Sequence, residues 1–388
     1  MRNWRWRRDL CARARFRRMR RAAIGVVLLL SAGAFISFGQ PGVQPRWAIQ
    51  YQYRDLERSL TINDIAFPSK SRGIACGYSA DRDGKERPLV LVTSDGGEHW
   101  AETAVRETGV SLNFIDDSTG WMVTDRGIWS TVESGRAWKK LNAPTGMQRV
   151  WFVTKVHGFA VGAKKRAFET TDGGETWTLL PIIHELQGDP AYTAFGEIAF
   201  RGENGMITGW STPPVGGATG KEPLRDASGV QVPQLTIILE TRDGGKTWTK
   251  TEASLFGQIT RISLPAEGPA LGLIEFLHVF EYPSEVYGIN LHNGHSERVF
   301  RQKDRAITSV KIFAADSAYL AGYETAIPYH PTPVPGKLKV LTSADLTNWD
   351  EMQVDYRAVA HRATFAGPDR EHQWIGTDTG TILHLVTQ

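Results

Sequence analysis

Cysteine is scarce in this chain: Cys11 and Cys76 are the two in 388 residues. Cys11 lies in a basic leader and Cys76 in an apolar, strand-like run. No intramolecular disulfide is expected, and Cys76 reads as a small core residue rather than a nucleophile. Catalytic signatures are missing too: there is no Gly-x-Ser-x-Gly elbow and no nucleotide-binding fingerprint. A net positive charge is missing from the body of the chain. The formal net charge is +3, but residues 1–21 carry ten arginines against Asp9, which is +9, so the remainder is 3 − 9 = −6. A mildly acidic body argues against nucleic acid as a partner.

What is there begins with an address. Residues 22–39, "AAIGVVLLLSAGAFISFG", carry no charge. They are just long enough to cross a bilayer core, which takes about 17–25 residues. Residues 1–21 then form a basic cytoplasmic leader, and the chain after residue 40 is expected outside the cytoplasmic membrane, in a periplasm or beyond. Ala32 and Ala34 form an A-x-A pattern, so the run reads either as a retained anchor or as a signal segment that is cleaved, with secretion as the result. Arg17-Arg18 and Arg20-Arg21 raise twin-arginine export, without the usual consensus after the pair. "QPGVQP" (40–45) is a short linker, and residues 46–388 are the folded body.

The chain as a whole is 41% hydrophobic, with 13 tryptophans and 39 glycines, which suggests many short strands and tight turns around a large core. It also repeats. "TSDGGEHW" begins at Thr93, "TTDGGETW" at Thr170 and "TRDGGKTW" at Thr241. A weaker copy, "TVESGRAW", begins at Thr131, and a decayed one, "TSADLTNW", at Thr342. The starts are 38, 39, 71 and 101 residues apart. A unit of about 40–50 residues fits a four-stranded propeller blade.

The motif has the chemistry of a turn. Asp95, Asp172 and Asp243, with Glu133 in the weaker copy, can accept backbone N–H groups from the residues that follow. Gly97, Gly135, Gly174 and Gly245 can take positive φ without steric cost. Trp100, Trp138, Trp177 and Trp248 then bury large apolar surfaces between blades. A phosphate loop would need a Lys-Ser/Thr ending and a following helix. A calcium loop would need more oxygen ligands than one aspartate supplies.

Upstream of the turns, "FIDDSTGWMV" (114–123), "FVTKVHGFAV" (152–161) and "FRGENGMITGW" (200–210) share a form in which a strand ends, a polar turn follows and a glycine opens the next strand. Blades are therefore expected near 61–105, 110–142, 147–182, 194–252, 257–303, 306–353 and 357–388, the fifth without a recognisable turn box. "RWAIQYQYR" (46–54) is a lone strand that can pair with "TGTILHLVTQ" and close the ring. The expectation is an all-β, seven-bladed propeller.

The boxes and the "DDSTGW" hairpin resemble the BNR or Asp-box repeat. Their arrangement after an export leader resembles the photosystem II assembly and stability factor family, Ycf48 or HCF136-like. That resemblance implies a non-enzymatic scaffold that binds a membrane protein during assembly. The family's arginine patch has no counterpart that maps residue by residue. The same repeats occur in sialidases, so the other reading is a carbohydrate-binding protein or sialidase-like glycoside hydrolase. That chemistry needs an arginine cluster and a Tyr–Glu pair, and "TRISLP" (260–265) is only a faint echo of the family's Arg-Ile-Pro signature. No cofactor and no metal is expected. His292 and His295 in "HNGH" lack a third ligand nearby.

The long insertions fall between the second and third strands of their blades: 80–88, 211–234 and 324–337. They are expected to gather on the face opposite the boxes, where loops on a rigid scaffold bind partners. Arg82, Lys85, Arg87, Lys221, Arg225, Tyr329 and His330 are the candidate partner contacts.

Overall fold

The computed structural model describes residues 44–212, 235–253, 258–276, 282–291, 293, 295–325, 334 and 336–387. The leader, the apolar run, Lys221, Arg225, His292, Tyr329 and His330 lie outside the described residues.

Seven sheets make up the body, each with four antiparallel strands, and the last carries Gln353–Val354 as a fifth strand, parallel to Arg46–Gln52. The strands of each are called A to D from the inside outwards. Blade 1 holds Arg58–Ala66, Gly73–Asp81, Glu86–Thr93 and Ala101–Ala104. Blade 2 holds Gly109–Phe114, Gly120–Thr124, Gly127–Thr131 and Lys139–Lys140. Blade 3 holds Met147–Phe152, Gly158–Gly162, Arg166–Thr170 and Thr178–Leu179. Blade 4 holds Thr193–Arg201, Asn204–Ser211, Leu235–Thr241 and Thr249–Ala253. Blade 5 holds Gln258–Ser263, Ala270–Glu275, Ser284–Ile289 and Ser296–Arg301. Blade 6 holds Arg305–Ala314, Ser317–Glu324, Leu338–Ser343 and Asp350–Glu351.

The seventh blade closes the ring. Ala363–Ala366, Trp374–Thr377 and Thr381–Val386 supply strands A to C. Strand D comes from the other end of the body. Arg46–Gln52 pairs antiparallel with Thr381–Val386, from Arg46 opposite Val386 to Gln52 opposite Thr381. The lone strand of the sequence thus serves as the clasp. The A strands of neighbouring blades touch all the way round, the seventh meeting the first. The fold is a seven-bladed β-propeller.

The boxes are C–D turns, and threonine is their hub. Thr170 Oγ1 donates to Asp172 Oδ1 at 2.8 Å and accepts from the Gly174 N–H at 2.9 Å. Asp172 Oδ1 then accepts the Thr176 N–H at 2.9 Å. Asp95 and Asp243 repeat this set with Thr93 and Thr241. Both box glycines have positive φ, 79° at Gly173 and 98° at Gly174. The first also donates its N–H to the A–B turn of its own blade, Gly173 to the Val156 carbonyl at 2.8 Å. In blade 2 the same job falls to Ser134, at a φ of 59°, which binds the Ser118 carbonyl. In blade 6 the hub is Ser343, one residue later than the sequence alignment placed it. Its hydroxyl accepts the Leu346 N–H at 2.8 Å.

Between blades the core is aromatic. Trp121 stacks on Phe152 at 3.5 Å and Trp374 on Phe67 at 3.7 Å, while the box tryptophans meet these phenylalanines edge-on. Glycines at the start of the B strands of blades 1 to 4 make room for them. A Cβ on Gly158 would lie 2.6 Å from the Phe152 ring, and one on Gly120 2.5 Å from Phe114.

Candidate functional site: the central channel

The inner strands carry a device that the repeat alone did not reveal. In six blades strand A has a β-bulge, after Ile62, Gly109, Met147, Phe195, Ile259 and Ile307. A bulge re-aims the side chain that follows it. Those side chains are Asp64, Ser111, Arg149, Glu197, Arg261 and Ser309. Four of the six are ionisable, in the innermost layer of the protein.

Arg149 bridges two carboxylates. Its Nη1 lies 3.4 Å from Asp64 Oδ2 and its Nε 3.2 Å from Glu197 Oε2. Arg261 Nη1 reaches Glu197 Oε2 at 3.5 Å, while its own Nε is buried without a partner. Asp64 also ties blade 1 to blade 2 by accepting the Leu112 N–H at 2.8 Å. Burial lowers the Arg261 pKa to about 10, helped by Arg149, and burial raises that of Glu197.

These residues form the waist of a channel. On one side is a cavity of about 270 Å³ to which all seven A strands contribute, with Arg201 and Lys311 in its wall. Strand A runs toward the A–B turns, so this cavity opens on the face that bears the boxes. On the other side a cavity of about 430 Å³ is lined by Gln148, Gly196 and Arg362, and shares Arg149 and Arg261.

The channel has more cations than carboxylates. Arg149, Arg261, Lys311, Arg201 and Arg362 face Asp64 and Glu197, with Glu275 beside Arg362 at 3.6 Å. Lys311 has no ion-pair partner among the described residues, and its Nζ sits 5.5 Å from the Phe313 ring. Burial, then repulsion from Arg201, brings its pKa down to about 8. A cation held without a counterion in a concave, partly desolvated site favours an incoming anion.

The contacts expected from the sequence lie elsewhere. Arg82, Lys85 and Arg87 share one hairpin, whose loop is shorter than the sequence suggested because strands B and C continue to Asp81 and from Glu86. Arg82 pairs with Glu57 at 3.4 Å and Arg87 with Glu102 at 3.6 Å, all exposed. "TRISLP" delivers Arg261 to the waist, but no tyrosine joins it there among the described residues. A Tyr–Glu pair does exist in blade 5, where Tyr287 Oη donates to Glu285 Oε2 at 2.7 Å with Arg298 and Arg301 on the same carboxylate. Burial, and then Glu285, pushes the Tyr287 pKa up to about 12, the reverse of nucleophile activation. The buried thiol of Cys76 is likewise pushed up by burial. The one sequence signal for the waist was charge inside otherwise apolar strands: Asp64 in "NDIAF", Arg149 in "QRVWF" and Glu197 in "GEIAF".

Fold and boxes together define an Asp-box β-propeller with a charged channel. Residues 130–215 match the family described as "Photosynthesis system II assembly factor YCF48". The whole body resembles a solved structure of YCF48 bound to a D1 peptide, at a TM-score of 0.59 and 15% identity over 88% of this chain and 97% of that one. YCF48 from Cyanidioschyzon merolae is similar at 0.55 and 14%, over 87% and 98%. The GH74 xyloglucanase of Xanthomonas campestris shares the fold at 0.59 and 10%, over 87% of this chain and 53% of that one. A search of curated proteins gave no match. The chain is a β-propeller similar to the Ycf48 structures.

Proposed function

We propose that this protein is a non-enzymatic scaffold that holds an anionic segment of a membrane-protein partner in its central channel, in the manner of a photosystem II assembly factor. The surplus of channel cations, with Lys311 lacking a counterion among the described residues, is the observation that carries this reading. The solved likeness to a Ycf48 with a D1 peptide supports it. The suppressed acidity of Tyr287 speaks against sialidase-like chemistry at the Tyr–Glu pair. Residues 22–39 hold the propeller at the membrane, outside the cytoplasm, where such a partner would be met. Exposed Lys85 and its neighbours in the hairpin are a secondary contact.

Affinity purification from detergent-solubilised native membranes tests this. Wild-type protein is expected to retain subunits or precursors of one membrane complex in stoichiometric amount. The Arg201→Glu/Lys311→Glu variant is expected to lose them while remaining folded. Equal retention by both overturns the reading.

A further inference from the structure

The five box tryptophans share one place in the repeat. Continued one residue beyond their last pairs, the strand C–D registers put Trp100, Trp138, Trp177, Trp248 and Trp349 opposite Thr93, Thr131, Thr170, Thr241 and Ser343. Each indole wedges into the seam with the preceding blade. Trp100 meets Tyr51 of blade 7 at 6.1 Å, and Trp248 meets Phe159 of blade 3 at 5.7 Å. Trp349 donates Nε1–H to the Val299 carbonyl of blade 5 at 3.0 Å.

Blade 5 has no box. In its register Ile289 stands in the threonine place and Ser296, opposite it, in the tryptophan place. Strand A also lacks the usual ring: Leu264 occupies the position held by Phe67, Phe114, Phe152 and Phe200 in blades 1 to 4. In the seam between blades 4 and 5 lies a cavity of about 200 Å³, walled by Met206, Ile238, Ile259, Ile274 and Ile289, with Ser296 at its edge. Its polar rim is Glu240, Thr251 and the Tyr287 phenol. Glu240 has no ion-pair partner among the described residues. A closed apolar cavity of about 150 Å³ takes up benzene, so this volume suits an indole.

We propose that this seam binds a tryptophan side chain of a partner polypeptide, which restores the wedge that blade 5 does not supply. The indole ring fills the apolar volume, and its N–H faces the Glu240 carboxylate, as those of Trp138, Trp177 and Trp349 face backbone carbonyls. A peptide is the favoured source because the five sister indoles are all presented by the residue that leads into strand D. This site is separate from the channel and stands whether or not the channel reading does.

The test is a fluorine NMR titration of the full chain, in mild detergent, with N-acetyl-5-fluorotryptophanamide. Free 5-fluoroindole and N-acetylleucinamide serve as comparison probes. Saturable binding of the tryptophan amide is expected, with the leucine amide at least tenfold weaker. Ser296→Trp is expected to raise the melting temperature and weaken probe binding at least tenfold. Ser296→Leu, a smaller plug, gives the same reading if the tryptophan variant does not fold. The proposal is overturned by absence of saturable binding, by unchanged binding to a folded plug variant, or by binding of free indole alone.

Discussion

Threonine, glycine and aspartate each do one physical task in the box, and each task can be removed. Thr170→Val keeps the shape but deprives Asp172 of a donor and the Gly174 N–H of its acceptor. A loss of about 1–3 kcal/mol is expected in chemical denaturation. Gly158→Ala places a methyl against the Phe152 ring, and overpacking of this kind costs roughly 1–3 kcal/mol. The box aspartates set the acid limit. Hydrogen bonds from Thr176 and Thr247 hold Asp172 and Asp243 at about 2. A carboxylate whose pKa is lower folded than unfolded adds stability above its unfolded value, near 4, and loses it as pH falls toward the folded value. Melting temperature should therefore drop between about pH 4 and pH 2, and Asp172→Asn should flatten that slope. Lys311 gives a slope of the same sign at higher pH, from a charge that the fold disfavours. Its pKa of about 8 lies below the ordinary lysine value, so the unfolded chain binds more protons in between, and stability rises from about pH 8 to 10. Lys311→Met is expected to remove that rise and to melt higher at pH 7.

At the scale of elements, the clasp strand is the point of greatest leverage. Trp47 is fully buried and packs against Tyr319 and Phe365 at 6.4 and 5.9 Å, joining the start of the body to blades 6 and 7. Trp47→Ala is expected to cost about 3–5 kcal/mol. Hydrogen exchange should show first opening in Thr381–Val386, the strand that Arg46–Gln52 covers. Much of this was legible beforehand. The boxes fixed the C–D turns, and "RWAIQYQYR" stood without a blade of its own. The bulges were not legible. An inserted residue in an inner strand leaves the apolar pattern nearly intact, so Asp64, Arg149, Glu197 and Arg261 read as scattered charges. Only register shows that they share one level. The vacancy in blade 5 was half legible: the missing box was evident, but its seam is defined by the partner blade, which lies next to it only in the closed ring.

The propeller offers a wheel with a cationic axis, and its two faces differ. Boxes and A–B turns cover one face, where Arg201 and Lys311 line the mouth. The other bears the described B–C turns, including the hairpin with Arg82, Lys85 and Arg87. Whether the partner enters the axis or rests on the hairpin is the central question. A photo-crosslinker decides it in native membranes: p-benzoylphenylalanine in place of Leu112, in the channel wall, or of Lys85, at the hairpin. The account predicts a crosslink to one membrane protein from position 112, with less or none from position 85. Crosslinking from position 85 alone would contradict it.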